Sequence, residues 1–309
     1  MHADGVTNRL LRTLAKMKEW REQRQILELK NPISNVLRAV LIGTWIAGLI
    51  WFENRRALRS VHRSKVRRDI RNLLIAGPSG AVLQLLEMPV ALKLAELTQE
   101  RTWGILPRLH LPAAAAITAG ILLLDYTLYW WHYLTHRLAV LWRFHQVHHL
   151  DQEMDATTAL RFHFGEIAIS VAFRALQIAA IGTSPMTVAV WQVFLFLSIL
   201  FHHSNVRLPL ASERILARFV VTPRLHGIHH SIAPEEVNSN WSSGLTIWDW
   251  LHSTLRTEVP QAGLTLGVPG FRGASEITAV EALRFPFQVA GQRPAYDGKP
   301  VRQSPDALS

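Results

Sequence analysis

The chain contains no cysteine. That excludes disulfides, thiolate-bound zinc, iron–sulfur clusters and thiolate-ligated haem. Charge is also scarce: 18% of the 309 residues are Asp, Glu, Lys or Arg, against about 25% in soluble domains. No H-E-x-x-H occurs, which disfavours a zinc peptidase. No repeat of solenoid length is present. The first apolar run begins near Val36, too far in for a secretory signal, and no small-residue cleavage site follows it.

Apolar residues and tryptophan are abundant instead. Hydrophobic residues make up 49% of the chain and there are eleven tryptophans, several of them flanking apolar runs. Aromatic belts at bilayer edges have this pattern. The formal charge of +10 fits anionic lipid and membrane topology better than a nucleic-acid partner, and no nucleic acid is expected.

Along the chain, residues 1–35 form a basic N-terminal segment. Within it, 9–29 reads as an amphipathic helix, either lying on lipid headgroups or packed on the rest of the protein. Residues 36–52 are apolar but reach only ~26 Å as a helix, slightly under the ~30 Å hydrocarbon core. Residues 53–72 carry eight Lys/Arg. A second apolar stretch, 73–97, is interrupted by Gly77-Pro78-Ser79-Gly80 and Pro89 and is expected to kink. Residues 99–111 carry only Arg101 and Arg108, and 112–134 is the clearest membrane span. Residues 167–201 read as a helical hairpin around Gly182-Thr183-Ser184-Pro185, with arms of about 16 residues or ~24 Å. The basic bias places 53–72 in the cytoplasm and 99–111 outside. Residues 202–258 then form a cytoplasmic cap. The tail, 259–309, holds one short helix with Ser275 as N-cap and Ile277, Val280 and Leu283 as its apolar face, and it is expected to be disordered after Phe287.

One histidine pattern occurs twice. His145, His148 and His149 form H-x-x-H-H, and His226, His229 and His230 repeat it. At 15 histidines in 309 residues, one such motif is expected by chance roughly 0.04 times per chain, so two copies are not accidental. His132 and His136 precede the first copy, four apart, on one face of a helix. Each H-x-x-H-H can turn two or three nitrogens toward one point. Together the three motifs offer eight imidazoles, enough for two metal ions, with His163, His202 and His203 between them. Imidazole suits Zn, Cu, Fe and Ni. Four or more nitrogens per ion favour a redox metal over catalytic zinc, which usually takes about three protein ligands. Carboxylates are then expected behind the ligands. Asp125 is placed for this role, on one helical stripe with Tyr129, His132 and His136. Glu166, three residues after His163, is a second candidate. His202 is expected to support neighbouring ligands, and His252 to cap the Trp248–Trp250 cluster.

These residues resemble the fatty acid hydroxylase/sterol desaturase superfamily of histidine-rich membrane oxygenases. The resemblance spans about 67–258. It rests on Arg68-Asp69-Ile70-Arg71-Asn72, Asp125 through His136, Leu141 through His149, Thr158 through His163, His203-Ser204-Asn205-Val206-Arg207-Leu208-Pro209, Thr222-Pro223 with His226, His229-His230-Ser231, and Asn240 with Trp248-Asp249. It implies an all-α integral membrane fold with about four membrane-embedded helices or hairpins, and a cytoplasmic His-rich helical cap holding a dinuclear metal site. Residues 36–258 would be the catalytic domain. The resemblance also implies two irons (zinc being a possible substitute), O2 as co-substrate, and hydroxylation or desaturation of a sterol, fatty acyl or related lipid. The electron donor would be external, a cytochrome b5-like protein, ferredoxin or reductase. The metal ligands would be His132, His136, His145, His148, His149, His163, His203, His226, His229 and His230, with Asp125 and Glu166 as catalytic carboxylates. A divalent-metal transporter or sensor, and a family member that binds metal without turnover, are the alternatives.

Overall fold

The structure is a computed structural model that describes residues 32–269, 271 and 277–288, with side chains from residue 39 onward. The reading of 9–29 as an amphipathic helix and the Ser275 cap lie outside the described residues, as does, apart from Gln288, the tail expected to be disordered after Phe287. The chain divides into two units after Gly48. Within the first, the described residues are helical. The second holds the rest of the structure.

The described residues are helical apart from turns and three isolated antiparallel bridges. Helix α1 is Pro32–Arg55. Helix α2, Lys65–Val82, continues through a π-helical turn at Leu83–Glu87 into α3, Met88–Glu100. Helix runs unbroken through 77–80. Pro78 is accommodated within α2, and the irregularity appears as the π turn directly before Pro89, whose missing N–H interrupts the hydrogen-bond ladder of the continuous helix. Helix α4 is Ala113–Arg137 and α5 is Ala139–His149. Helices α6 and α7, Phe164–Ile181 and Pro185–His203, form the anticipated hairpin. Its arms have 18 and 19 residues, or about 27 Å. They are longer than expected because helix runs into the polar residues at both ends. Among the described residues, four helical stretches are long and apolar enough to cross a membrane: Lys65–Glu100, α4, α6 and α7.

Local signals explain the hairpin. His163 caps α6 by accepting from the Gly165 N–H, and Ser184 caps α7 by accepting from Thr187, with Pro185 in the first turn. Gly182 ends α6 at φ 77°, a left-handed conformation that favours glycine. The tip packs on the 101–109 loop: the Ile105 N–H bonds to the carbonyls of Ala180 and Ile181. A Cβ on Gly182 would collide with the Trp103 carbonyl, and one on Gly104 with Gly182 itself.

That contact orients the bundle. The hairpin tip lies beside the loop leading into α4, so the open end of the hairpin lies where α4 finishes in His132 and His136. Apolar seams hold this arrangement. Ala91 and Ala95 pack with Ile178 and Val188, and Leu106 and Leu124 with Ile181 and Trp191.

Short helices complete the polar end: α8 Leu210–Leu216, α9 Pro223–His229, α10 Pro234–Val237, α11 Ile247–Leu251 and α12 Ala279–Gln288. The capping residue of α12 is Thr278, whose hydroxyl and N–H engage Glu281 in a reciprocal box. Its buried face is Ala282, Phe285 and Pro286, whereas Val280, expected to be buried, is 57% exposed. Ala282 and Phe285 pack with Ile75, Trp142 and Val147 of the body. Ile277 and Leu283 of the expected apolar face are partly buried and pack against the same cluster.

Candidate metal centre

Nine histidines meet at the polar end in two groups. His132 and His136 from α4, His145 and His149 from α5, and His229 from α9 form the first. His148, His203, His226 and His230 form the second. All nine are buried, and the ligand nitrogens of each group lie within 4.8 Å of one another. The groups adjoin: the rings of His149 and His230 stack with centroids 4.2 Å apart.

The repeated motif is divided between them. In each copy the residues four apart share a group, His145 with His149 and His226 with His230. The remaining histidine, His148 or His229, joins the other group. Helical geometry is the reason. Residues i and i+4 lie about 40° apart around the axis, while adjacent residues lie about 100° apart. Each H-x-x-H-H therefore serves two centres, where the spacing alone also allowed all three nitrogens at one.

Many ring orientations are fixed from behind. Nδ1 of His132 faces the Trp241 carbonyl at 2.7 Å, that of His203 the Ile199 carbonyl at 2.8 Å, and that of His229 the Ser239 carbonyl at 2.9 Å. Nδ1 of His145 faces Glu166 at 2.9 Å. Each of these pairs leaves Nε2 turned inward. In the first group, Nε2 of His136, His145, His149 and His229 is buried without any protein partner. In the second, the Nε2 atoms face one another: His203 to His148 and to His226 at 2.9 Å, and His226 to His230 at 3.2 Å. Buried nitrogens left unpaired or aimed at one another are costly unless a cation meets them. The donor set fits two nitrogen-ligated metal ions.

Protonation agrees. Burial, reinforced by neighbouring imidazoles, lowers the pKa of His148, His149, His226 and His230, and takes His229 down to about 3. These rings are neutral at neutral pH, as metal ligation requires.

The structure does not bring His163 to either group. Its Nδ1 accepts from the Gly165 N–H and its Nε2 donates to the Leu283 carbonyl, so the ring caps α6 and ties down α12. Sequence spacing cannot distinguish a capping imidazole from a ligand. His202 lies against His226, with ring centroids 4.0 Å apart, and is outside both groups. His252 caps the C-terminus of α11, as expected, with its N–H on the Trp248 carbonyl, and its ring stacks on Tyr126 and Tyr129 of α4.

Of the two carboxylates singled out in the sequence, Glu166 touches a ligand and Asp125 does not. Asp125 accepts from the Leu245 N–H at 2.9 Å and the Trp248 indole at 2.7 Å. It fastens the 244–248 segment to α4, against Gly244, where any side chain would collide with it. The carboxylate that supports His132 is Asp249. It accepts from the N–H groups of Trp241 and Ser242 and from Thr254, fixing the Trp241 carbonyl that faces His132. Behind the first H-x-x-H-H lies Asp151, bound to Arg68, Arg71 and Thr158. These arginines and Arg161 hold its carboxyl well below the usual carboxylate range. Arg161 also donates to the Val147 carbonyl, one residue before His148. The signal that could have found Asp249 and Asp151 was an acid close to a histidine motif or to buried tryptophan, but distance in sequence hides both contacts.

Comparison with known proteins agrees with this geometry. The fatty acid hydroxylase family model matches residues 117–254, which include all nine clustered histidines. The ornithine lipid hydroxylase OlsE of Rhizobium tropici is 30% identical over 161 residues, 52% of this chain and 47% of that protein. Alkylglycerol monooxygenase of Danio rerio is 30% identical over 189 residues, 60% of this chain and 40% of that protein. Cholesterol 25-hydroxylase of Mus musculus is 28% identical over 139 residues, 44% of this chain and 45% of that protein. The chain thus spans half or less of the length of these relatives. No solved structure matches it.

Proposed function

We propose, from the premise that residues 117–254 are a fatty acid hydroxylase domain, that the chain is a membrane-bound, di-iron, O2-dependent lipid oxidase, and a hydroxylase rather than a desaturase. The observation that carries this reading is the pair of adjoining imidazole groups at one end of membrane-length helices. The three relatives are, by name, hydroxylases and monooxygenases of lipids, which supports hydroxylation.

One iron would be held by His132, His136, His145, His149 and His229, the other by His148, His203, His226 and His230. Two irons bound there would supply the redox chemistry that converts an unactivated C–H, O2, two electrons and two protons into C–OH and water. The protein's part is positional. Glu166 and the Trp241 carbonyl hold two imidazoles in one tautomer, and burial of every ligand excludes water from the reacting groups. Asp125 fastens the 244–248 segment to α4. The two electrons come from an external donor.

The catalytic unit is residues 36–258, and its histidine end faces the cytoplasm. The eight basic residues of 53–72 support that side. Arg56 and Leu58 bond to the backbone at Arg207 and Asn205, directly after His203 of the second histidine group. Arg101 and Arg108 lie at the opposite end.

The test is lipid analysis of cells with and without the protein, alongside His148→Ala and metal analysis of the purified chain. Two irons per chain, and a lipid gaining one oxygen only with the intact protein, are expected. Zinc alone with no changed lipid, or reversible metal uptake, overturns the reading.

A further inference from the structure

A cleft of about 1140 Å³ lies beside the metal centre, between α8, α11 and residues 255–260. Its volume exceeds the ~300–1,000 Å³ usual for small-molecule pockets. The walls are apolar, with Leu122, Phe219, Leu225, Ile247, Trp248 and Trp250 among them. Leu122 lies in the half of α4 away from His132, so the cleft reaches along a helix of membrane-spanning length and apolarity. Leu225, on the inner wall, directly precedes His226. At the mouth, Phe219 is 64% and Trp250 70% exposed. Ile215, 60% exposed, and Leu251, 56% exposed, continue this apolar rim along α8 and α11.

The charges around the cleft are unequally matched. Arg224 is paired with Glu213 at 3.0 Å. Arg214 and Arg218, both exposed and both lining the cleft, have no acidic partner among the described residues. Glu258 is the remaining acid on the lining. Two unpaired guanidiniums above an apolar trough complement a molecule with a long hydrocarbon portion and an anionic head, and guanidinium is well suited to phosphate oxygens.

We propose that this cleft binds one acidic-headgroup lipid drawn from the bilayer, with its phosphate on Arg214 and Arg218 and its hydrocarbon along the wall formed by Phe219, Trp248, Trp250 and Leu122. The site concerns binding alone and does not depend on the oxygenase reading, so either stands if the other fails.

The full chain, purified from nanodiscs of equal phosphatidylglycerol and phosphatidylcholine, is gel-filtered in detergent and its retained lipids are quantified by mass spectrometry. Phosphatidylglycerol should be enriched about three- to ten-fold over phosphatidylcholine. Arg214→Gln/Arg218→Gln should bring the ratio close to that of the mixture while leaving the Tm and metal content unchanged, since both side chains are exposed. Each single variant should fall between, which keeps the test open if the double variant folds poorly. Ala217→Trp, on the wall, should lower total retained lipid. Excess inorganic phosphate at constant ionic strength should leave the enrichment in place. Enrichment that survives the double variant, is lost equally with Arg101→Gln/Arg108→Gln at the other end of the bundle, or is abolished by inorganic phosphate overturns the proposal.

Discussion

Glu166 accepts a hydrogen bond from Nδ1 of His145 across 2.9 Å, and both side chains are buried. The pair couples the first turn of α6 to the first histidine group. The carboxylate fixes the tautomer in which Nε2 of His145 is free to bind a cation. Glu166→Ala should lower metal affinity about 10- to 100-fold, while Glu166→Gln, whose amide oxygen still accepts from Nδ1–H, should retain most of it. Metal titration monitored by equilibrium dialysis measures both. Equal loss in the two variants would show that charge, and not orientation, is what Glu166 supplies.

His163 and His148 should behave differently although both belong to histidine-rich stretches. His163→Ala removes a helix cap and the tie to Leu283, and should cost about 1–2 kcal/mol of stability with metal stoichiometry intact. His148→Ala removes a nitrogen from the second group and should lower bound metal. Thermal melts and elemental analysis of the same preparations separate the two. Loss of metal in the His163 variant would return that residue to the ligand set.

Asp249 makes its contribution through backbone. Asp249→Ala leaves the Trp241 and Ser242 N–H groups without their acceptor, at about 1–3 kcal/mol for each buried donor. It should also loosen the carbonyl facing His132. A lowered Tm together with weaker metal binding is expected, with Asp249→Asn between this variant and wild type. An Asp249→Ala protein that melts early but binds metal normally would remove Asp249 from the support of His132.

Acid should release the metal and destabilise the metal-free protein. His148, His149, His226, His229 and His230 have pKa values lowered in the folded state from an ordinary value of 6.5. Between those lowered values and 6.5, the unfolded chain binds more protons than the folded one, so stability rises with pH across that window. Their contribution is full above pH 6.5 and is lost as pH falls toward the folded values, which for His229 is about 3. Denaturant melts of the metal-free protein at pH 7.5 and at pH 5.5 test the sign, and greater stability at the lower pH would refute it.

Gly182→Ala should destabilise the bundle without touching the metal. The residue sits at φ 77°, where a Cβ costs about 1 kcal/mol or more, and that Cβ would strike the Trp103 carbonyl. A lower Tm with unchanged metal content is expected. An unchanged Tm would mean that the hairpin tip does not depend on this close approach.

Much of the architecture is set by local pattern. Apolar runs of membrane length, the Gly182–Pro185 turn, and histidines spaced three and four apart dictate helices, their hairpin and which imidazoles share a face. Those are properties of short windows, governed by helical period and burial, so they can be read directly from the order of residues. What the tertiary structure alone decides is which distant groups meet. Asp125 lies on the stripe that leads to His132 yet bonds to Leu245 and Trp248. Glu166 reaches His145 from another helix, and Asp249 supports His132 only through the Trp241 carbonyl. His163 has the right chemistry for a ligand but spends both nitrogens on backbone. The division of each H-x-x-H-H between two centres follows the same logic: the helix fixes the angles among its three rings, but only the packing of α4, α5, α7 and α9 determines which nitrogens stand opposite them.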